Sequence, residues 1–160
     1  MIKINIICIG NLKEKYLKDA QEEYLKRLTR YASIKLIEVN EAKILSFDNA
    51  ALIEKTKENE AVNALKFVKK DDYLVLMDLH GKELSSEDLA KGFSNLVSTN
   101  TRDIDIVIGG TLGLGESLLK RSNYRICLSK LTFPHQITRI ILLEQLYRIF
   151  KINNNESYHH

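Results

Sequence analysis

Apolar and polar positions alternate along the chain with two different periods. Residues 2–9 (IKINIICI) begin as a period-2 alternation and end as a continuous apolar run, which predicts a central strand closed by Gly10. Over 12–31, Leu12, Tyr16, Ala20, Tyr24, Leu28 and Tyr31 fall on one helical stripe with Lys and Glu opposite, predicting an amphipathic helix. The pattern continues as strand 34–39, helix 48–68, strand 73–79, helix 86–97 capped by Ser85 or Ser86, strands 104–108 and 124–128, and helix 135–151. Strands alternating with helices of these lengths predict an α/β fold, a mainly parallel sheet flanked by helices. No linker or internal repeat interrupts the 160 residues, which read as a single domain with room for a sizeable core.

The last helix carries more apolar surface than one contact needs. Ile137, Ile140, Ile141, Leu142, Leu143, Leu146, Tyr147, Ile149 and Phe150 cover far more than a stripe of about 100°. Such a helix buries two faces. One packs on its own sheet, and the other needs either more of the same chain or a partner, most simply an identical subunit in a homodimer.

Composition narrows the setting. Hydrophobic residues make up 44% and charged residues 28% of the chain, and no apolar run approaches the roughly 20 residues that span a bilayer. Met1 leads straight into the first strand pattern rather than a signal peptide. These features imply a cytoplasmic protein with no membrane partner. Cys8 and Cys127 lie in apolar, β-branched stretches and read as reduced core thiols, not as a disulfide. No Cys/His spacing matches a zinc site, so no metal is expected.

Charge is unevenly placed. From Lys120 to Lys151 there are seven basic residues against the single acid Glu144, whereas 31–119 hold ten bases and fifteen acids. The basic segment is where a polyanion would dock by counterion release, or else a solvated charged face.

Three loops follow strand ends, where open parallel sheets bind ligands. They are Met77–Lys82 (MDLHGK), Gly109–Gly115 (GGTLGLG) and Leu128–His135 (LSKLTFPH). The second holds four of the seven glycines and the third holds the only proline. The glycine spacing matches neither a dinucleotide fingerprint nor a phosphate-binding P-loop. No nucleophile elbow is present.

Together these loops resemble something specific. The run IGGTLGLGESLLKRSNYRICLSKLTFPHQITRIILLEQLYRIF, the closing ESYH, the opening CIGNLKEKYLKDAQEEYLKRL and the stretch LHGKELSSEDLA are similar to the RlmH family of trefoil-knotted (SPOUT) methyltransferases. The resemblance implies a C-terminal trefoil knot, S-adenosylmethionine as methyl donor, a homodimer, and methylation at N3 of a pseudouridine in 23S ribosomal RNA. Carried over residue by residue, it places cofactor contacts at Met77, Gly109, Gly110, Gly113, Leu128, Ser129, Lys130, Leu131, Thr132 and Phe133. It also makes residues 153–160 a catalytic or RNA-contacting tail, in which Tyr158-His159 matches the family's ending and His160 stands where a Lys or Arg is usual.

The chemistry this implies asks for orientation and for removal of the N3 imide proton. His159 is the preferred base and His135 the other candidate, though helix capping or loop support suits His135 equally. Tyr158 is expected to stack on the target base. Arg139 and Arg148, with Arg125, are expected to hold phosphate or position the tail, and Glu144 is expected to pair with a nearby arginine. Two other readings share these features: a knotted methyltransferase with a different RNA target, and a non-catalytic RNA-binding module. Binding of the donor separates the second from an enzyme.

Overall fold

The computed structural model describes residues 1–44, 46–99 and 102–158. Among these residues five strands and five helices alternate: β1 (Ile2–Ile9), α1 (Lys15–Leu28), β2 (Ala32–Val39), α2 (Ala50–Leu65), β3 (Tyr73–Glu83), α3 (Ser86–Thr99), β4 (Ile104–Ile108), α4 (Glu116–Arg121), β5 (Tyr124–Cys127) and α5 (His135–Asn153). All strand pairs are parallel, in the order β2-β1-β4-β3-β5.

The expected elements are present, with shifts that have local causes. The helix expected over 12–31 is shorter, because Leu12 is buried in the loop ahead of α1. Asn49 and Ser85 supply N-caps, accepting from Leu52 N at 3.0 Å and Asp88 N at 3.1 Å. α4 was not predicted: its six residues are too short to show a period. Its first turn is held instead by Glu58 of α2, which accepts from Ser117 N at 3.1 Å.

β3 runs four residues past the predicted end because its second half pairs with β5 after an irregularity between Met77 and Lys82. Gly81 allows this approach, since a Cβ there would lie 2.7 Å from the Arg125 carbonyl carbon.

The sheet is covered on both faces. Ile4, Ile6, Cys8, Ile104, Ile106 and Ile108 point to the side of α1, α3 and α5, while Ile7, Ile9, Leu74, Leu76 and Val107 meet α2 and α4. This is the period-2 alternation of a doubly covered central strand. Burial pushes the Cys8 thiol up to about 11, which keeps it protonated in the core. On α5, Leu142, Leu143, Leu146, Ile149 and Phe150 are buried, whereas Ile137 is exposed and Ile140 and Ile141 are half-buried. Within one chain, then, α5 buries one face well and the other only in part.

A polar pair sits at the amino ends of the strands. Asp105 is fully buried and accepts from Asn5 Nδ2 at 2.7 Å. Burial first, and then the facing Asp72, raises its carboxyl to about 6 against the opposing Asn5 bond. Because the folded value lies above the unfolded one of about 4, the extra proton stabilises the fold at low pH, and that contribution is lost as pH rises from about 4 to about 6. Asp105→Asn keeps an acceptor for Asn5 and supplies a permanent donor toward Asp72. It is expected to raise stability at pH 8 by about 2 kcal/mol and flatten the dependence between pH 4 and 6. Urea midpoints at pH 5 and 8 check this; a parallel shift at both pH values would refute it.

Candidate active site

Strand order determines where a ligand can enter. The chain leaves β1 toward β2 but leaves β4 in the direction of β5, and such a reversal opens a crevice beyond the strands' carboxyl ends. Two clefts lie there. The larger, of about 810 Å³, is lined by the irregular stretch of β3 and by the loops after β4 and β5. The smaller, of about 690 Å³, lies past β1 and β2, and the two share Thr111 and His135.

Each loop of the larger cleft has its own shape. Met77 marks the last regular pair of β3 before the irregularity, and Asp78, Leu79 and His80 follow it along the wall. Asp78 accepts from Arg125 at 3.3 Å, joining the irregular stretch of β3 to β5. Gly109, Gly110 and Gly113 form the opposite wall, where Gly113 N donates to Gly110 O at 3.1 Å and Gly113 takes φ +95°. That angle favours glycine. In the third loop Leu128, Ser129, Leu131, Thr132 and Phe133 line the cleft, and Ser129 accepts from Leu131 N at 3.1 Å. Lys130 is exposed and does not line it.

His135 is the first residue of α5, with Nε2 3.9 Å from Glu41 Oε2 at the boundary of the two clefts. Glu41 had no sequence signal beyond following a strand. Its carboxylate accepts from Thr111 N at 2.6 Å, linking the loop after β2 to the glycine loop.

The basic segment is not the open surface that counting charges suggested. Arg139 in particular is corrected: it is 1% exposed and donates to Gln21 at 3.1 Å, Glu38 at 3.0 Å and the Gly10 carbonyl at 3.2 Å. A guanidinium so enclosed ties α5 to the ends of β1 and β2 and is not presented to a phosphate. Arg121 donates to the carbonyls of Lys69, Lys70 and Asp72, Lys120 pairs with Glu116, and Lys151 pairs with Glu156. The acids that neutralise this segment come mostly from outside it in sequence. Glu116 and Glu156 flank it within five residues, whereas Glu38 and Asp78 are distant in sequence and beyond any local count.

The tail folds back onto the middle of α5. Tyr158 packs edge-on against Tyr147 at 4.9 Å between centroids, with the Arg148 guanidinium 4.9 Å from its ring centre. Its hydroxyl donates to Glu144 at 3.3 Å, and Glu144 also pairs with Arg148 at 2.7 Å, the expected structural ion pair. Burial first, and then the Glu144 carboxylate, raises the Tyr158 phenol. His159 and His160 lie outside the described residues. Glu144 stands nine residues beyond His135 on the same helix, about 13 Å along its axis. One chain therefore does not bring Tyr158 to its own cleft.

A doubly covered parallel sheet with a glycine-lined crevice past its strand ends defines the class of α/β proteins that hold a small ligand there. More specifically, this chain belongs to the SPOUT methyltransferase family and is a methyltransferase: the family model described as "Predicted SPOUT methyltransferase" matches residues 2–159. It is similar to a protein of Ruminiclostridium cellulolyticum named ribosomal RNA large subunit methyltransferase H, 46% identical over 158 residues covering 99% of each chain. A protein of the same name from Clostridium novyi (strain NT) is 48% identical over 162 residues, again covering 99% of each. Among solved structures, a methylase family protein from Haemophilus influenzae Rd KW20 aligns with TM-score 0.48 and 18% identity, over 96% of this chain and 66% of that one.

Proposed function

We propose that this methyltransferase uses S-adenosylmethionine to methylate N3 of a pseudouridine in 23S ribosomal RNA, acting in the cytoplasm as a homodimer of single, knotted domains. The observation that carries the reading is the glycine-walled cleft at the strand ends, in a chain 46–48% identical from end to end to proteins named for large-subunit ribosomal RNA. The pseudouridine N3 target rests on the resemblance to the RlmH family.

The cleft suits the donor. Its volume of about 810 Å³ lies within the roughly 300–1,000 Å³ of small-molecule sites. Leu114, Leu131 and Phe133 offer apolar surface for an adenine, and Asp78, Ser129 and Thr132 offer polar atoms for a ribose and a charged amino-acid end. Bound there, S-adenosylmethionine supplies a methyl group already activated by its sulfonium. Gly109, Gly110 and Gly113 allow close backbone approach, and Leu128, Ser129, Leu131, Thr132 and Phe133 close the other side, with Lys130 turned away.

The acceptor site needs a second copy. The half-exposed face of α5, bearing Ile137, Ile140 and Ile141, offers the apolar surface for a dimer contact. A partner's tail would then bring Tyr158 and His159 to this cleft, with His159 taking the N3 proton and Tyr158 stacking on the base. Arg125 at the cleft and Arg148 beneath Tyr158 are the phosphate contacts retained from the basic segment. A knotted path is consistent with the chain's return from the edge strand β5 through Leu128–His135 to α5, which packs on α1 and α3.

Ribosomes lacking the modification, incubated with the protein and labelled donor, test the reading. Mass spectrometry is expected to find one methyl group, on N3 of a 23S pseudouridine. A methyl group elsewhere would assign a different RNA target, and no transfer would remove the ribosomal reading.

A further inference from the structure

One acid stands in the crevice between the diverging ends of β1 and β4. Glu41, two residues past β2, accepts from Thr111 N at 2.6 Å with Oε1, and its Oε2 lies 3.9 Å from His135 Nε2. Two glycines on different strand ends leave space for it. A Cβ on Gly110 would lie 2.8 Å from Glu41 Oε1, and one on Gly10, whose φ is +114°, would lie 3.0 Å from His135 Nε2 and 3.4 Å from Glu41 Oε2. Burial works to raise the Glu41 carboxyl, but hydrogen bonding from Thr111, helped by His135 and Lys13, outweighs it and holds the group below its usual range. The acceptor at Thr111 is thus a carboxylate, stronger than a neutral oxygen.

Glu41 lines the smaller cleft, not the larger, while Thr111 and His135 line both. Its influence on the larger cleft passes through them. We infer that Glu41 is a positioning residue for the methyl donor: by fixing the Thr111 amide and facing His135, it holds the Gly110–Gly113 turn in the shape that closes on the cofactor. This rests on the reading of the larger cleft as the S-adenosylmethionine site. Without Glu41 the turn keeps its glycines and their freedom, so the donor must order it on binding.

Calorimetry of the full-length protein with S-adenosylmethionine and with S-adenosylhomocysteine tests the inference. Glu41→Ala is expected to weaken both about tenfold with little change in urea midpoint, and Glu41→Gln, which keeps an acceptor for Thr111, to recover affinity to within about threefold of wild type. In turnover, KM for the donor should rise while kcat at saturating donor stays within about twofold. Equal affinity of wild type and Glu41→Ala, or no recovery of affinity in Glu41→Gln, would overturn the inference alone. Failure of the wild type to bind either compound would overturn the donor reading and the inference with it.

Discussion

Changing Tyr158 and His159 together to alanine is expected to cut methyl transfer by at least about a hundredfold, the scale of a general-base contribution, with donor affinity unchanged. Within one chain Tyr158 is held by Tyr147, Arg148 and Glu144 on the middle turns of α5, outside the lining of the larger cleft. The variant should therefore lower kcat and leave calorimetric binding of S-adenosylhomocysteine as in wild type. A tail that serves a partner's cleft makes a second, sharper demand. Mixing this variant with one disabled in the glycine loop should restore part of the activity, because a mixed dimer holds one intact cleft facing one intact tail. No recovery on mixing, with dimers shown to exchange, would place the tail's action within its own chain. Unchanged turnover would remove the tail from the chemistry.

Arg139→Ala is expected to destabilise the fold by about 3 kcal/mol, the lower end of what losing one partner of a buried pair costs. The side chain is 1% exposed, and its loss leaves a cavity together with Gln21 and the Gly10 carbonyl short of a donor. Glu38 regains water because its side chain is 44% exposed, which keeps the cost from rising further. Arg139→Met, filling part of the volume, should cost less than alanine. Urea unfolding at one fixed protein concentration measures both, since a dimer's stability depends on concentration. A loss under about 1 kcal/mol accompanied by weaker ribosome binding would return Arg139 to phosphate recognition.

The identity of the elements was legible because period 2 and period 3.6 are local properties. IKINIICI could only be a strand buried on both faces, and β1 is one. The cleft's lining was legible for a related reason: in a parallel sheet a strand end with glycine or proline after it is a place where backbone can meet a ligand, although Met77–Lys82, read as a loop, is the irregular stretch inside β3. What failed was the reading of charge. Seven bases against one acid looked like a docking surface, yet Arg121 closes carbonyls at the amino end of β3, Arg139 is interior, and Lys120 and Lys151 are paired. Charge excess in a window counts neighbours in sequence, whereas ion pairs and backbone carbonyls are neighbours in space. Glu41 was missed by the same token, as one acid among fifteen with no partner in its own stretch.

By itself the sequence determined the alternation of strands and helices, the central, buried character of β1, and the surplus of apolar surface on α5. Each follows from the spacing of side chains along one element. Only the tertiary structure decided the strand order β2-β1-β4-β3-β5, and with it the crevice at the β1/β4 reversal where Glu41, Thr111 and His135 converge. It also decided that Tyr158 docks on the middle of α5, away from its own cleft. Those facts depend on which distant segments share a neighbour, and no periodicity within a segment encodes that.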